Sequence, residues 1–454
     1  MTMFMYFLYS IFLSIAFLAL LPYFIYQAFF HKKYLSNFRE RLGILPESLQ
    51  ADARPTIWIH AVSVGETLAA HSLVNALRER FPDHRLIFST TTATGQAVAR
   101  SRITEADGFC YYPFDWKFSV RNALKVIQPR IVVLMESELW PNFLRECKRQ
   151  DIPVLVANGR VSDRSFQRAQ KVQFWFRRLT ANVTCFLMQS EADAARIKAL
   201  GASQVFVSGN IKYDIGSDKQ SAIIDANAHS INEALALDQS PLIIAGSTSD
   251  GEEELLLSAL AEVHKTEGLD DVRLLLAPRH PERFETVAKL LDSSRFKYAR
   301  RSAFVQQVET AGIGNYGALP SVKSPVQSAT VVLLDSIGEL ASLYRFASIV
   351  FVGGSLVPKG GHNVLEPARE AKPIIVGPYM ENFREIAAEF QRNDALIQVQ
   401  GTTDKELTAA LSASLIELLR DAERVKSLGA NARATVEANR GATNKTVEVI
   451  ASII

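Results

Sequence analysis

From residue 55 onward, short apolar runs rich in β-branched residues alternate with helix-length amphipathic stretches, which is the pattern of parallel α/β sheets. The runs come in two sets. "TIWIHA", "RLIFSTT", "RIVVLME", "IPVLVAN", "VTCFLMQ" and "QVFVSG" form the first, and "PLIIAGS", "VRLLLAP", "TVVLLD", "SIVFVGG" and "PIIVGP" the second. Between them "DIGSDKQSAIIDANAHSINEALALDQS", residues 214–240, is polar and lacks strand character, as a linker would. At 454 residues, 48% hydrophobic and 22% charged, the chain is too long for one ordinary core. It is expected to form two facing Rossmann-like, doubly wound domains, 31–213 and 241–454, with the carboxyl ends of both sheets on one ligand-binding crevice. Residues 302–329 are expected to be a polar hairpin or loop insertion. Residues 403–436 show a helical pattern that either closes the second domain or crosses back to the first.

Ahead of this pattern, residues 1–30 contain no Asp, Glu, Lys or Arg. A bilayer crossing needs about 20 predominantly apolar residues, so the segment is a membrane-anchor candidate. No basic region precedes it and no small-residue cleavage site follows it, which disfavours a signal peptide. Lys32, Lys33, Arg39 and Arg41 follow directly and predict that the remaining chain stays in the cytoplasm. Pro22 leaves open an in-plane interfacial helix in place of a spanning one. The 50 basic and 48 acidic residues nearly cancel, giving no case for a nucleic-acid partner. Cys110, Cys147 and Cys185 match no metal-ligand spacing and read as reduced core residues.

Ser63 and Glu66, Ser249 and Glu252, and Asn363 and Glu366 all share the spacing of a capping box, so spacing alone does not separate a catalyst from a cap. Glu66 lies in the first strand-to-helix turn of its domain, after His60 and Ser63. The same sheet edge is expected to carry Glu136, Glu138, Asn158, Arg160, Asn210 and Lys212, because each follows a strand candidate. Glu136 and Glu138 alternate along an extended segment, which predicts that only one faces the cleft. In "SDGEEE" the acids read as first-turn residues complementing a helix dipole.

In the second half, "LLLAPRHPERF" sets Arg279 and His280 between a buried strand and a helix start, and Arg279 offers a planar fork suited to phosphate. "LLDSIGELASLY" supplies another turn at Ile337, Gly338 and Glu339. "GGSLVPKGGHNVLEPA", residues 353–368, supplies a third, glycine-rich one, whose backbone N–H groups suit an anion. Three donor-rich turns on one edge predict a nucleotide site. There is no GxxxxGK[ST], no GxGxxG after the first strand of either half, and no GxSxG elbow at Ser63. No metal-ligand spacing occurs, and neither a metal ion nor a cofactor is expected.

"HAVSVGE", "ESELWPN", "GNIKYD", "APRHPER" and "FVGGSLVPKGGHNVLEPA", in order across both halves, resemble the bacterial 3-deoxy-D-manno-octulosonic acid (Kdo) transferases, glycosyltransferases of the two-Rossmann, B-type fold. The resemblance implies transfer of Kdo from CMP-Kdo to the lipid A precursor at the cytoplasmic face of the inner membrane, with inversion at the anomeric carbon. It implies Glu66 as general base, with Glu136 and Lys212 assisting in the transition state. It places the cytidine nucleotide against Pro278 and Arg279, Ile337, Gly338 and Glu339, and Asn363, Val364, Leu365 and Glu366. The rival expectations are another nucleotide-sugar transferase or epimerase of this fold, and a membrane-tethered binding protein without turnover.

Overall fold

The computed structural model describes residues 2–31, 38–136, 138–214, 231–232, 237, 240–303 and 329–454. Most of the expected linker and nearly all of the expected 302–329 insertion lie outside the described residues. The chain divides into two compact units, Met1–Ser217 with Asn439–Ile454, and Asp218–Ala438.

The first unit is built on a seven-stranded parallel sheet: β1 Thr56–Ala61, β2 Arg85–Thr90, β3 Gly108–Tyr111, β4 Pro129–Met135, β5 Val154–Gly159, β6 Cys185–Met188 and β7 Val205–Val207. Their order in space is β3-β2-β1-β4-β5-β6-β7. The winding therefore reverses between β1 and β4, which pair directly. Loops leaving those two strands splay to opposite faces of the sheet and open a crevice at their carboxyl ends. β1 is buried at every position because helices cover both faces: Trp58 packs with Val132, Phe143 and Phe186, while Ile57 and Ile59 pack on the other side with Leu73, Leu77 and Ile131. Burial on both sides leaves no place for polar alternation, so β1 reads as one continuous apolar run.

The second unit repeats the plan with β8 Leu242–Thr248, β9 Arg273–Pro278, β10 Tyr298–Arg300, β11 Val331–Leu333, β12 Ile349–Val352, β13 Ile374–Val376 and β14 Ile397–Gln398. The order is β10-β11-β9-β8-β12-β13-β14. Here the reversal falls between β8 and β12, beside the glycine-rich turn that leaves β12. The 403–436 pattern resolves into two helices, Asp404–Arg420 and Ala422–Ala438, which stay with this sheet. Thr403 and Glu406 complete a true capping box at the start of the first of them.

The final helix, Ala442–Ile453, corrects the expectation that the second domain runs to residue 454. It packs on the Val64–Arg80 helix of the first unit, burying Ala442, Val447 and Ile450 in that unit's core. Its start is fixed by Asp214, whose carboxylate oxygens accept the N–H groups of Gly441 and Thr443, both at 2.7 Å. Asp214 ends the short Ile211–Asp214 turn that carries Lys212. Asp214→Ala is expected to lower stability by about 2–4 kcal/mol, because it leaves one buried and one partly buried donor without an acceptor. Thermal melting checks this; an unchanged melting temperature would mean that the carboxylate does not hold the returning helix.

At the other end of the chain, Thr2–His31 is a single helix with Pro22 inside it. The window Met5–Pro22 is long and apolar enough to cross a membrane, with a mean hydropathy of 2.0.

Candidate active site

Glu66 occupies the third position of the Val64–Arg80 helix, which starts where the chain leaves β1. Ser63 is the N-cap, its hydroxyl accepting the Glu66 N–H at 3.4 Å. The Glu66 carboxylate reaches back to the Val62 N–H at 2.7 Å and accepts the Ser63 hydroxyl at 3.0 Å. Both contacts favour a charged carboxylate. Burial outweighs them, and with Glu136 and Glu138 nearby it pushes the Glu66 carboxyl up to about 7. The exposed capping-box carboxylate of Glu406, by contrast, is shifted downward. Glu66 is held where it can both bind and release a proton near neutral pH.

Glu136 follows β4, and its backbone is left-handed, with φ +58°. Its N–H still bonds the Ala157 carbonyl of β5 at 2.8 Å, so the turn begins at once after the ladder ends. This breaks the extended alternation on which the sequence expectation rested. The charges of both Glu136 and Glu138 act on Glu66. Glu138 is itself raised, by burial and by the charge of Glu136.

Lys212 supplies the counter-charge, with Nζ 4.0 Å from a Glu136 carboxylate oxygen and both side chains partly exposed. Its turn is positioned by Asn158, a fully buried residue near the end of β5 whose Oδ1 accepts the Ile211 N–H at 3.0 Å. Asn158 is left-handed as well, with φ +57°, a conformation asparagine tolerates better than most residues. His60, by contrast, is wholly buried in β1, stacked on Tyr112 at 3.8 Å and bonded through Nδ1 to Ser89. Burial pushes it down to about 3, so it is a neutral core residue and takes no part in the acidic cluster.

In the second unit, Arg279 stands exposed at the end of β9, and its backbone N–H is tied to the Thr248 carbonyl at 3.0 Å. Its charge acts on both His362 and Glu366, so the β9 turn and the glycine-rich turn converge. Burial pushes His362 down to about 4 and raises Glu366, whose carboxylate accepts the Asn363 amide at 3.1 Å. Asn363 Oδ1 accepts the Leu365 N–H at 3.0 Å. The pair therefore bond each other through their side chains, instead of each satisfying the other's backbone. Val364 and Leu365 are buried, as is Pro278 at the end of β9. Ile337 and Gly338 form an exposed turn, and Glu339 is paired with Arg301 at 3.1 Å.

The expectation of an anion cradle in the first half of the glycine-rich turn is corrected by Glu252. This residue is wholly buried, and its carboxylate accepts the N–H groups of Gly354 at 2.6 Å, Ser355 at 2.9 Å and Leu356 at 2.8 Å, as well as that of Ser249 at 2.8 Å. The protein's own carboxylate already accepts these amides. Glu253 is buried too and pairs with Arg283 at 2.7 Å. Glu252 and Glu253 of "SDGEEE" are thus internal braces, whereas Asp250 and Glu254 are exposed. Gly354, with φ +68°, is packed so closely on the His362 ring that a Cβ there would lie 2.8 Å from Nε2.

Residues 36–215 match the family model described as 3-deoxy-D-manno-octulosonic-acid transferase (kdotransferase). A 3-deoxy-D-manno-octulosonic acid transferase of Haemophilus influenzae is 34% identical over 398 residues, covering 87% of this chain and 86% of the relative. The chain belongs to the Kdo transferase family. A second Kdo transferase, from Bordetella pertussis, is 31% identical over 422 residues and 90% of each chain. Among solved structures, a UDP-GlcNAc 2-epimerase from Neisseria meningitidis covers 87% of this chain and all of its own, with a TM-score of 0.56 at 13% identity. That likeness concerns the fold alone and is consistent with the two-Rossmann, B-type architecture.

As a Kdo transferase the chain is a glycosyltransferase of lipopolysaccharide biosynthesis. Two clusters stand at its strand ends. Glu66, Glu136, Glu138 and Lys212 lie in the first unit, and Arg279, His362, Asn363 and Glu366 in the second. His362 and the bracing Glu252 are the residues of these turns that sequence reasoning undervalued. A buried acid inside a run of three glutamates carries no local signature of its partner 102 residues away.

Proposed function

We propose that this Kdo transferase moves Kdo from CMP-Kdo to the lipid A precursor (lipid IVA), with Glu66 taking the proton of the acceptor hydroxyl as that oxygen attacks the anomeric carbon. Attack from the side opposite the departing CMP inverts the configuration there. The observation that carries the reading is a carboxylate held up to about 7 at the switch point of a Rossmann-like sheet, with two further carboxylates and a lysine around it. The hydroxyl becomes acidic only as its bond to carbon forms, so a base of this strength suffices. Glu136 and Lys212 bear on the positive charge that develops on the sugar ring and on the placement of the acceptor. The acceptor's lipid character matches the apolar N-terminal helix, which keeps the enzyme at the cytoplasmic face of the inner membrane.

The second unit takes the nucleotide in this reading. Arg279 meets the phosphate of CMP, the turn at Ile337, Gly338 and Glu339 lies along the nucleotide, and Glu366 accepts hydrogen bonds from the ribose hydroxyls. Pro278, Asn363, Val364 and Leu365 form the walls. Because Glu252 already occupies the amides of Gly354, Ser355 and Leu356, the phosphate depends on the Arg279 side chain more than on that loop. Arg279→Ala and Glu366→Ala are each expected to weaken CMP binding by about ten-fold or more, the usual loss for a charge-assisted contact. Calorimetry with CMP, alongside thermal melting, checks this. Unchanged affinity with a lowered melting temperature would return Glu366 to a purely structural role.

A further inference from the structure

We propose that the N-terminal helix lies in the plane of the membrane, docked along the first unit, and sinks its outer face into one leaflet of an anionic phospholipid bilayer. The inference is independent of the transfer mechanism. Its basis is a division of the helix into two faces. Tyr6, Tyr9, Ser10, Ser14 and Phe17 recur at helical spacing and all meet the folded domain. Asn182 donates to the Tyr6 hydroxyl at 2.9 Å, Asn142 to Ser10 Oγ at 3.1 Å and the Trp116 indole to Ser14 Oγ at 3.1 Å. Tyr6 and Tyr9 pack on Trp175 at 5.4 and 6.1 Å, and Phe17 on Trp116 at 4.9 Å. The opposite face, with Leu8, Ile11, Phe12, Ile15 and Leu18, is 40–70% exposed and wholly apolar.

Geometry argues against a crossing while these contacts hold. From Tyr6 to Phe17 the helix runs about 17 Å along the domain, at ~1.5 Å per residue. Trp116, Asn142 and Asn182 belong to the domain and cannot follow it into hydrocarbon. Leu18 to His31 then offers about 21 Å of helix, short of the ~30 Å hydrocarbon core. Lying flat, the helix needs no undocking, its polar side chains keep their partners, and its apolar face is covered by lipid.

The flanking chemistry selects an anionic surface. Phe118, 54% exposed, stacks on Trp116 next to Lys117, and with Phe7 and Arg145 it lines a groove of about 560 Å³ beside the helix. On the other flank Arg178 lies over exposed Phe174, one residue before Trp175. Aromatic rings at the apolar boundary, with Lys117, Arg145 and Arg178 beside them, suit phosphate headgroups around a buried apolar stripe.

The test uses the full chain carrying single spin labels at L8C, I11C, I15C, L18C and F118C, in vesicles of phosphatidylglycerol and phosphatidylethanolamine. Cys110, Cys147 and Cys185 are buried, and the unsubstituted protein measures any background labelling. Collision rates with oxygen and with an aqueous nickel complex give the depth of each label. In-plane docking predicts that all five sit at one shallow depth, and that binding weakens several-fold in vesicles of phosphatidylcholine alone. A steady change of about 15 Å in depth from Leu8 to Leu18, the rise of ten helical residues, would overturn it in favour of a crossing. Labels accessible only to nickel, or equal binding to both vesicle types, would also overturn it.

Discussion

Glu66→Gln is expected to abolish turnover, lowering kcat by about 10²–10⁴-fold, the range attributed to a positioned general base. The fold should survive, because a glutamine can still accept the Val62 N–H that the carboxylate holds at 2.7 Å. CMP affinity should stay within a few fold, since the nucleotide is assigned to the other unit. Stability should move in the opposite direction to activity. The folded carboxyl sits at about 7 against 4.5 for the free group, so the folded state holds on to a proton that the unfolded chain has already lost. The stability tied to that proton is present in full below about 4.5 and is lost as pH rises through about 7. At pH 8 the variant, which never pays this penalty, should melt no lower than the parent. The parent's kcat/KM should rise with pH through about 7 as the base ionises, and the variant's residual rate should not. Turnover like the parent's in Glu66→Gln would place the base elsewhere.

Glu252→Ala is expected to have the largest effect on the second unit. Four backbone N–H groups converge on this buried carboxylate. Each unsatisfied buried donor costs about 1–3 kcal/mol, so even after relaxation and water entry the loss should be several kcal/mol. The helix at Glu252–Val263 would lose its tie to the turn after β12, and the turn would lose the brace that sets His362 against Gly354. CMP binding should fall with stability, unlike in Arg279→Ala, where binding falls alone. Glu252→Gln separates the charge from the shape. It presents one acceptor oxygen and an amide that faces donors, so it should rescue only part of the loss. Melting curves and CMP titrations on the three variants distinguish a brace from a ligand contact. A stable Glu252→Ala that binds CMP normally would mean that the loop holds its shape without the carboxylate.

Most of the fold was legible because central parallel strands have no polar face. β1, β4, β8, β9 and β12 are continuous apolar runs for the same reason that they are central. The strands left unread are β3, β10 and β14, all at sheet edges. Tyr298–Arg300 and Ile397–Gln398 are only partly buried along their length, so nothing in their composition separates them from loops. The final helix was assigned to the wrong domain because its pattern is that of any amphipathic helix. What sends it back to the first unit is Asp214, more than two hundred residues earlier in the chain.

The site was legible to the extent that strand ends fix it. Glu66, Glu136 and Lys212 follow β1, β4 and β7, and the sheet order brings the first two to adjacent strands. At Glu136 the chain turns left-handed immediately after the last ladder bond, so strand alternation does not carry on to Glu138. The charges of both glutamates bear on Glu66. The first half of the glycine-rich turn was misread for a different reason. Its glycines do leave backbone donors pointing inward, but a sequence does not show which acceptor reaches them. A buried glutamate from the neighbouring strand-to-helix turn reaches them first.

The central claim is that the acidic cluster after β1 and β4 serves the transfer of Kdo from CMP-Kdo to a lipid. The direct measurement is incubation of the purified full chain with CMP-Kdo and the lipid A precursor, followed by mass spectrometry of the lipid fraction, with Glu66→Gln run in parallel. The account predicts a lipid heavier by one or more Kdo residues from the parent protein, release of CMP in equal amount, and unmodified lipid from the variant. A lipid left unmodified by the parent protein, or one modified equally by both, would contradict it.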